Sequence, residues 1–193
     1  MIRVLVVDDH PALRAGLHTV LDSEPGIVFA GQSAGDEAGF WPELDRARAD
    51  LVLLDYHLPH SDGLQLCYSI KQRDPAPRVL VYSAYASPTL ALPARIARAD
   101  GLVDKGTGAH DLFEAIRLVN GGKRLLPPIS RAVLEEAYEK IDEDQRPLMG
   151  MLLDGCPEDE AAQTLGLDVS DVSHAAKEIL SRLRLDIPAA REL

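Results

Sequence analysis

Three aspartates stand where buried strands should end. Asp8 and Asp9 follow Val4-Leu5-Val6-Val7, and Asp55 follows Leu51-Val52-Leu53-Leu54. Each apolar run is continuous rather than alternating, the pattern of a strand covered on both faces. Open α/β sheets hold their ligands just beyond the carboxyl ends of such strands. Two more runs end suggestively, with Ser83 after "VLVY" and Lys105 after "GLVD". Adjacent carboxylates repel one another and are tolerated best with a cation between them. A hard ion such as Mg²⁺ suits them, because it takes oxygen ligands and keeps several waters. A carboxylate is also a competent nucleophile toward phosphorus, giving an aspartyl phosphate. Lys105 and Ser83 would then supply positive charge and a hydrogen bond to the arriving phosphoryl group. For Asp8 and Asp9 alone, the plain alternative is a solvated turn with an aspartate capping the next helix. Residues converging from four strand ends favour a single site.

Such a site needs a sheet to position it. Strands are expected at Ile2–Val7, Ile27–Gly31, Leu51–Leu54, Arg78–Tyr82 and Gly101–Val103. Helical patterns alternate with them at Ala12–Asp22, Asp36–Arg48, Gly63–Gln72, Thr89–Arg98 and His110–Val119. Five strand-helix repeats with tight connections predict a doubly wound parallel sheet over residues 1–121. Pro93 should shorten or kink the fourth helix. Asn120-Gly121-Gly122 closes the last one with residues that accept a left-handed cap.

At this point two stretches, "VLVVDDHPALRAGL" and "LVLLDYHLPHSDGL", resemble the receiver domain of two-component response regulators, in the forms found in the NarL/FixJ (LuxR-type) subfamily. The resemblance covers some two-thirds of the chain and implies a flavodoxin-like five-stranded fold. It implies Asp55 as acceptor of phosphate from a sensor histidine kinase, with Ser83 and Lys105 serving the transfer. It also implies Asp9 as a direct Mg²⁺ ligand, Asp8 as a ligand through water, and the His57 backbone carbonyl as a further ligand. Pro59 and Gly63 match the residues that shape the acceptor turn. The side chains of His10 and His57 are expected at the rim, because Mg²⁺ avoids imidazole. One departure touches signalling rather than chemistry: where the family carries a switch aromatic three residues before its lysine, this chain has Leu102. Asp104 beside Lys105 reads as an exposed turn charge.

Composition changes after the glycine pair. "KRLLPPIS" begins a linker over residues 122–141, with a helical segment at Arg131–Ile141. Three short helical patterns follow, at Glu143–Leu153, Glu158–Leu165 and Val169–Leu183. Asp142 and Gln145 have capping-box spacing, and Pro147 would cost a hydrogen bond inside the first of these helices. The pattern of residues 142–193 resembles the small all-α LuxR-type helix-turn-helix domain, with Leu165-Gly166-Leu167 as its turn. A recognition helix must neutralise DNA phosphates. Here the corresponding positions hold Glu158, Asp159, Asp171, Ser173 and Ala175, and the segment carries five Lys/Arg against twelve Asp/Glu. Ser173, Lys177, Arg182 and Arg184 are the candidate DNA contacts. The competing reading makes Lys177, Arg182 and Arg184 solvated partners of Glu178 and Asp186.

The leading expectation is a receiver-controlled transcription regulator whose DNA binding is weakened by this charge. Its rival is a phospho-regulated module in which the helices dock a protein partner or form a homodimer. An enzyme is not expected: an aspartyl phosphatase wants a second carboxylate two residues after its nucleophile, where His57 stands. The net charge of −11 argues against general nucleic-acid affinity. No run is long enough for a bilayer, so no membrane is expected. Cys67 and Cys156 have no metal-type spacing and suit a reducing, cytoplasmic setting.

Overall fold

In the computed structural model, which describes residues 1–59 and 61–185, the five apolar runs form strands. These are β1 (Ile2–Val7), β2 (Ile27–Ser33), β3 (Leu51–Asp55), β4 (Arg78–Ser83) and β5 (Gly101–Asp104). All pair in parallel, in the order β2-β1-β3-β4-β5. Parallel neighbours require crossovers, here α1 (Pro11–Asp22), α2 (Glu37–Ala47), α3 (Gly63–Lys71) and α4 (Pro88–Ile96). A fifth helix, α5 (Ala109–Asn120), follows β5. Because the order reverses at β1, the loops leaving β1 and β3 part toward opposite faces and open a crevice between them.

Side chains alternate faces along each strand. Leu5, Val7, Val52, Leu54, Val79 and Val81 pack with α2, α3 and α4, while Val4, Val6, Leu51, Leu53 and Leu80 pack with α1 and α5. Fully burying each such side chain contributes about 1.5–3 kcal/mol, so both faces must be apolar and the runs read as continuous. Asp36, Asp62 and Ser87 start their helices by accepting hydrogen bonds from backbone N–H groups of the first turn. Pro93 lies inside α4, which stops at Ile96, two residues before the sequence pattern ends.

Beyond α5 the chain runs beside the sheet. Leu125 N donates to Asp100 O at 2.9 Å, and Leu102 N donates to Leu125 O at 2.8 Å. Then come α6 (Arg131–Lys140), a 3-10 turn at Glu143–Gln145, α7 (Arg146–Leu153), α8 (Glu158–Leu165) and α9 (Val169–Arg182). Two local expectations are corrected. The Asp142–Gln145 capping box does not form; the Asp142 carboxylate makes no cap bond and pairs instead with Arg182 at 2.6 Å. Pro147 breaks nothing, because α7 begins at Arg146 and places the proline in a first turn where its missing N–H is not needed. Gly166, at φ +67°, makes the left-handed turn between α8 and α9.

These helices lie against the outer side of α4. Leu90, Ala91, Leu92, Ala94 and Ile96 are each at most 1% exposed, so the apolar residues of α4 are covered on its outer side as well as toward the sheet. The outer covering layer comes from α6, α7 and α9. One core runs from the sheet through α4 into Met149, Leu152, Ala161, Val172 and Ile179. Among the described residues, no helix is long and apolar enough to cross a membrane.

Candidate functional site

The register of the sheet decides which residues meet. Val7 lies opposite Leu54, Asp55 opposite Tyr82, and Ser83 opposite Asp104. Asp8, Asp55, Ser83 and Lys105 therefore emerge at one level along the carboxyl edge. The Lys105 Nζ lies 2.6 Å from Asp8 Oδ2 and 2.8 Å from Asp55 Oδ2. Asp8 and Asp55 are 2% and 4% exposed. Asp55 Oδ1 accepts from the His57 N–H at 3.2 Å, and Asp8 Oδ1 from the His10 N–H at 2.8 Å. Arg14 Nη1 donates to the Asp8 carbonyl at 2.5 Å, fixing the turn from α1. Ser83 Oγ, also buried, accepts from Tyr85 N at 3.1 Å.

Burial pushes the Asp55 carboxyl above its ordinary range; Lys105 opposes this, while the Asp8 charge adds to it. Burial pulls the Lys105 ammonium down, but its hydrogen bonds to Asp55 and Asp8 more than reverse that and hold it above its usual value. Three carboxylates against one ammonium leave a formal charge of −2, the charge that one divalent cation removes. Ligand atoms of Asp8, Asp9, His10 and Asp55 all lie within 4.8 Å of one another. Asp9 Oδ1 is buried without a hydrogen-bond donor among the described residues, although His10 Nδ1 approaches it to 2.6 Å. A buried acceptor oxygen with nothing donating to it is what a cation would satisfy, so the residues fit a metal. His10, Asp55, His57, Ser83, Tyr85 and Lys105 line an open cleft here, with both histidines at its walls.

Where Leu102 replaces an aromatic, the side chain is packed in β5 at 7% exposure. The aromatic rings nearby belong to other residues. Tyr82 Oη donates to the Lys105 carbonyl at 3.2 Å, and Tyr85 stands half exposed at the rim. Asp104 caps its own turn, accepting from Gly106 N at 2.7 Å.

The candidate DNA contacts are placed differently. Ser173 lies half-buried beside the Tyr68 hydroxyl of α3. Lys177 lines a cleft with Trp41, Asp62 and Gln65. Arg182 pairs with Asp142, and Arg184 approaches Asp62 at 3.7 Å. The competing pairing of Lys177, Arg182 and Arg184 with Glu178 and Asp186 is not seen for Glu178, which lies 3.7 Å from His174 instead. Asp186 falls outside the described residues. Glu158, expected to face DNA phosphates, is 7% exposed and accepts from Tyr68 Oη of α3 and from Nε2 of Gln72, which caps the end of that helix. Nothing in the sequence signals this contact, because an acidic residue in a helix's first turn ordinarily faces solvent.

The response regulator receiver domain model matches residues 4–117. The DNA-binding transcriptional activator DevR/DosR of Mycobacterium tuberculosis is 31% identical, with 96% of this chain and 90% of that protein covered. The nitrate/nitrite response regulator NarL of Escherichia coli K12 is 26% identical, over 94% and 89%. Among solved structures, a LuxR-family response regulator from Aurantimonas superposes with TM-score 0.60 at 29% identity, over 70% of this chain and 97% of that one. The regulator ChrA of a heme-sensing two-component system gives 0.54 at 27%, over 96% and 92%. With a receiver signature over more than half its length and relatives of matching extent, this chain belongs to the response regulator receiver domain family, as a two-component response regulator of the NarL/FixJ (LuxR-type) group.

Proposed function

We propose that Asp55 accepts a phosphoryl group from a sensor histidine kinase and that this event controls a helical output, in the cytoplasm. The receiver would span residues 1–121, the linker 122–141 and the output domain 142–193. The observation that carries the reading is Lys105 Nζ standing within 2.8 Å of both buried carboxylates, Asp8 and Asp55, at the carboxyl edge of the sheet. An Asp55 oxygen forms the new bond to phosphorus while the donor's leaving group departs with the electrons of its own bond to phosphorus. Lys105 then turns from the carboxylate to the phosphoryl oxygens, and the Ser83 hydroxyl donates its O–H to the same group while Oγ can keep accepting from the Tyr85 N–H. Asp8, Asp9, Asp55 and the His57 carbonyl would hold Mg²⁺, which supplies charge neutralisation for the entering group.

The output follows from where α9 lies. Its Ser173 is half-buried against the Tyr68 hydroxyl of α3, and Arg184, just past its end, leans toward Asp62 at the start of α3, so in this arrangement the α9 face carrying Ser173 is turned to the receiver. Phosphorylation adds charge and acceptor oxygens beside the β4 and β5 ends, and the reading is that this releases the helices from the receiver. Once free, the domain would meet DNA with Asp159 and Asp171 opposing the phosphates, hence weakly. That same acidity favours a second reading, in which the freed helices engage a protein partner or a second copy of the chain.

The direct test is phosphorylation by acetyl phosphate with Mg²⁺, followed by intact mass. The wild type should gain one phosphate and Asp55→Ala none. Equal labelling of the variant would remove Asp55 from the mechanism.

A further inference from the structure

At the opposite edge of the sheet from Asp55, five cationic side chains surround one cleft. Lys71 ends α3, Arg78 opens β4, Arg95 lies in the last turn of α4 with Arg98 just beyond it, and Arg124 follows α5. The cleft encloses about 290 Å³, and its sole lining carboxylate among the described residues is Asp100. That group is already engaged: Oδ1 pairs with Arg78 at 3.0 Å, and Oδ2 pairs with Lys71 at 2.9 Å and accepts from Val79 N at 2.8 Å. Arg95 and Arg124 have no carboxylate partner among the described residues. In a chain of net charge −11, such a concentration of unneutralised cations is a marked local reversal.

Two features show that the cleft is shaped rather than incidental. Arg98 sits at φ +61°, the left-handed region that glycine occupies without penalty and a residue with a Cβ does not. The Arg98 guanidinium reaches the helical domain, where it donates to the Cys156 carbonyl at 2.9 Å. Gly155 and Pro157 of that domain complete the lining. The cleft therefore has walls from both halves of the molecule.

We infer that this junction cleft binds a small ligand bearing two or more linked phosphates. Guanidinium forks match phosphate oxygens in pairs, and several around one space suit adjacent phosphoryl groups. Among the described residues no aromatic side chain lines the space, so recognition rests on the phosphates and not on a stacked ring. Like charges gathered here repel, and an anion between them removes that cost. Because both halves contribute, occupancy holds the helices against the receiver. By linkage, a ligand that favours the docked form opposes any event that releases it; this last consequence rests on the release proposed above, whereas binding itself does not.

Inorganic pyrophosphate is the probe, titrated calorimetrically into the full chain without Mg²⁺ and at fixed ionic strength. The wild type should bind it saturably, and thermal unfolding should shift upward with pyrophosphate but not with matched chloride. Arg95→Gln combined with Arg124→Gln removes no ion pair among the described residues and should bind at least about tenfold more weakly. Arg98→Gly deletes one guanidinium together with its hydrogen bond to the Cys156 carbonyl and should also bind more weakly, whereas the Arg95/Arg124 variant leaves that bond in place and reports on the charge alone. Asp55→Ala should bind as the wild type does, which separates this site from the phosphorylation reading. Absence of saturable binding at millimolar pyrophosphate, or equal binding by the arginine variants, would overturn the inference. So would weakened binding by Asp55→Ala, or displacement of pyrophosphate by duplex DNA at lower phosphate concentration than free phosphate requires.

Discussion

Asp8 and Asp9 are neighbours in sequence with different surroundings. Asp8 is buried, and its oxygens are held by Lys105 and the His10 backbone. Asp9 is partly exposed, with one oxygen that no hydrogen bond satisfies. Their substitutions should therefore fail differently. Asp9→Asn should weaken Mg²⁺ binding by about tenfold or more while leaving the melting midpoint in place. Asp8→Asn should do less to the metal and cost about 1–3 kcal/mol of stability, since Lys105 loses one of two buried partners. Fluorescence-monitored Mg²⁺ titration alongside denaturant melts distinguishes the two; identical metal binding by Asp9→Asn and wild type would make the pair a cap. These carboxylates, with Ser83 and Lys105, could be read from sequence because each terminates an apolar run whose end the sheet must align. Glu158 could not, since its burial depends on which surface α8 meets, and no local pattern encodes that.

Elements show the same division between local and distant causes. The turn after Asp55 needs Gly63: a Cβ there would lie 2.3 Å from the Asp55 carbonyl oxygen and 2.7 Å from that of Tyr56. Both obstacles are backbone and cannot step aside. Gly63→Ala should cost at least about 1–3 kcal/mol, measured as a lowered denaturant midpoint, whereas an unchanged midpoint would show the turn to be slack. Pro147→Ala, by contrast, should move the midpoint by no more than about 1 kcal/mol, because the proline stands where α7 begins. Strands and helices of the receiver were legible to within a residue or two from their apolar runs. The start of α7 was not, because Asp142 could cap or pair, and only the arrival of Arg182 at 2.6 Å decides between them. The burial of Leu90 to Ala94 and Ile96 in α4 was not legible either, because the helices that cover them come from beyond residue 130.

Across the whole molecule, the receiver and the helical output share one core, joined at α4 and fastened where Tyr68 and Gln72 bind Glu158. Burial and the adjacent Glu158 carboxylate push the Tyr68 hydroxyl above its ordinary range, so it stays protonated and able to donate. Tyr68→Phe leaves a buried carboxylate short of a donor, a cost of about 1–3 kcal/mol. We expect it to loosen docking and speed proteolysis within residues 122–130, and a wild-type cleavage rate would show that this contact does not hold the halves together. The sequence alone pointed to two units and a charge mismatch with DNA; it did not reveal that Ser173 and Arg184 face the receiver, because that depends on tertiary packing between distant segments. Control of docking by Asp55 is tested most directly by hydrogen exchange of α3 and α9 amides in the full chain, with and without acetyl phosphate and Mg²⁺. Phosphorylation should raise exchange on both helices in the wild type and leave Asp55→Ala unchanged. Equal protection of α3 and α9 before and after stoichiometric phosphorylation would contradict it.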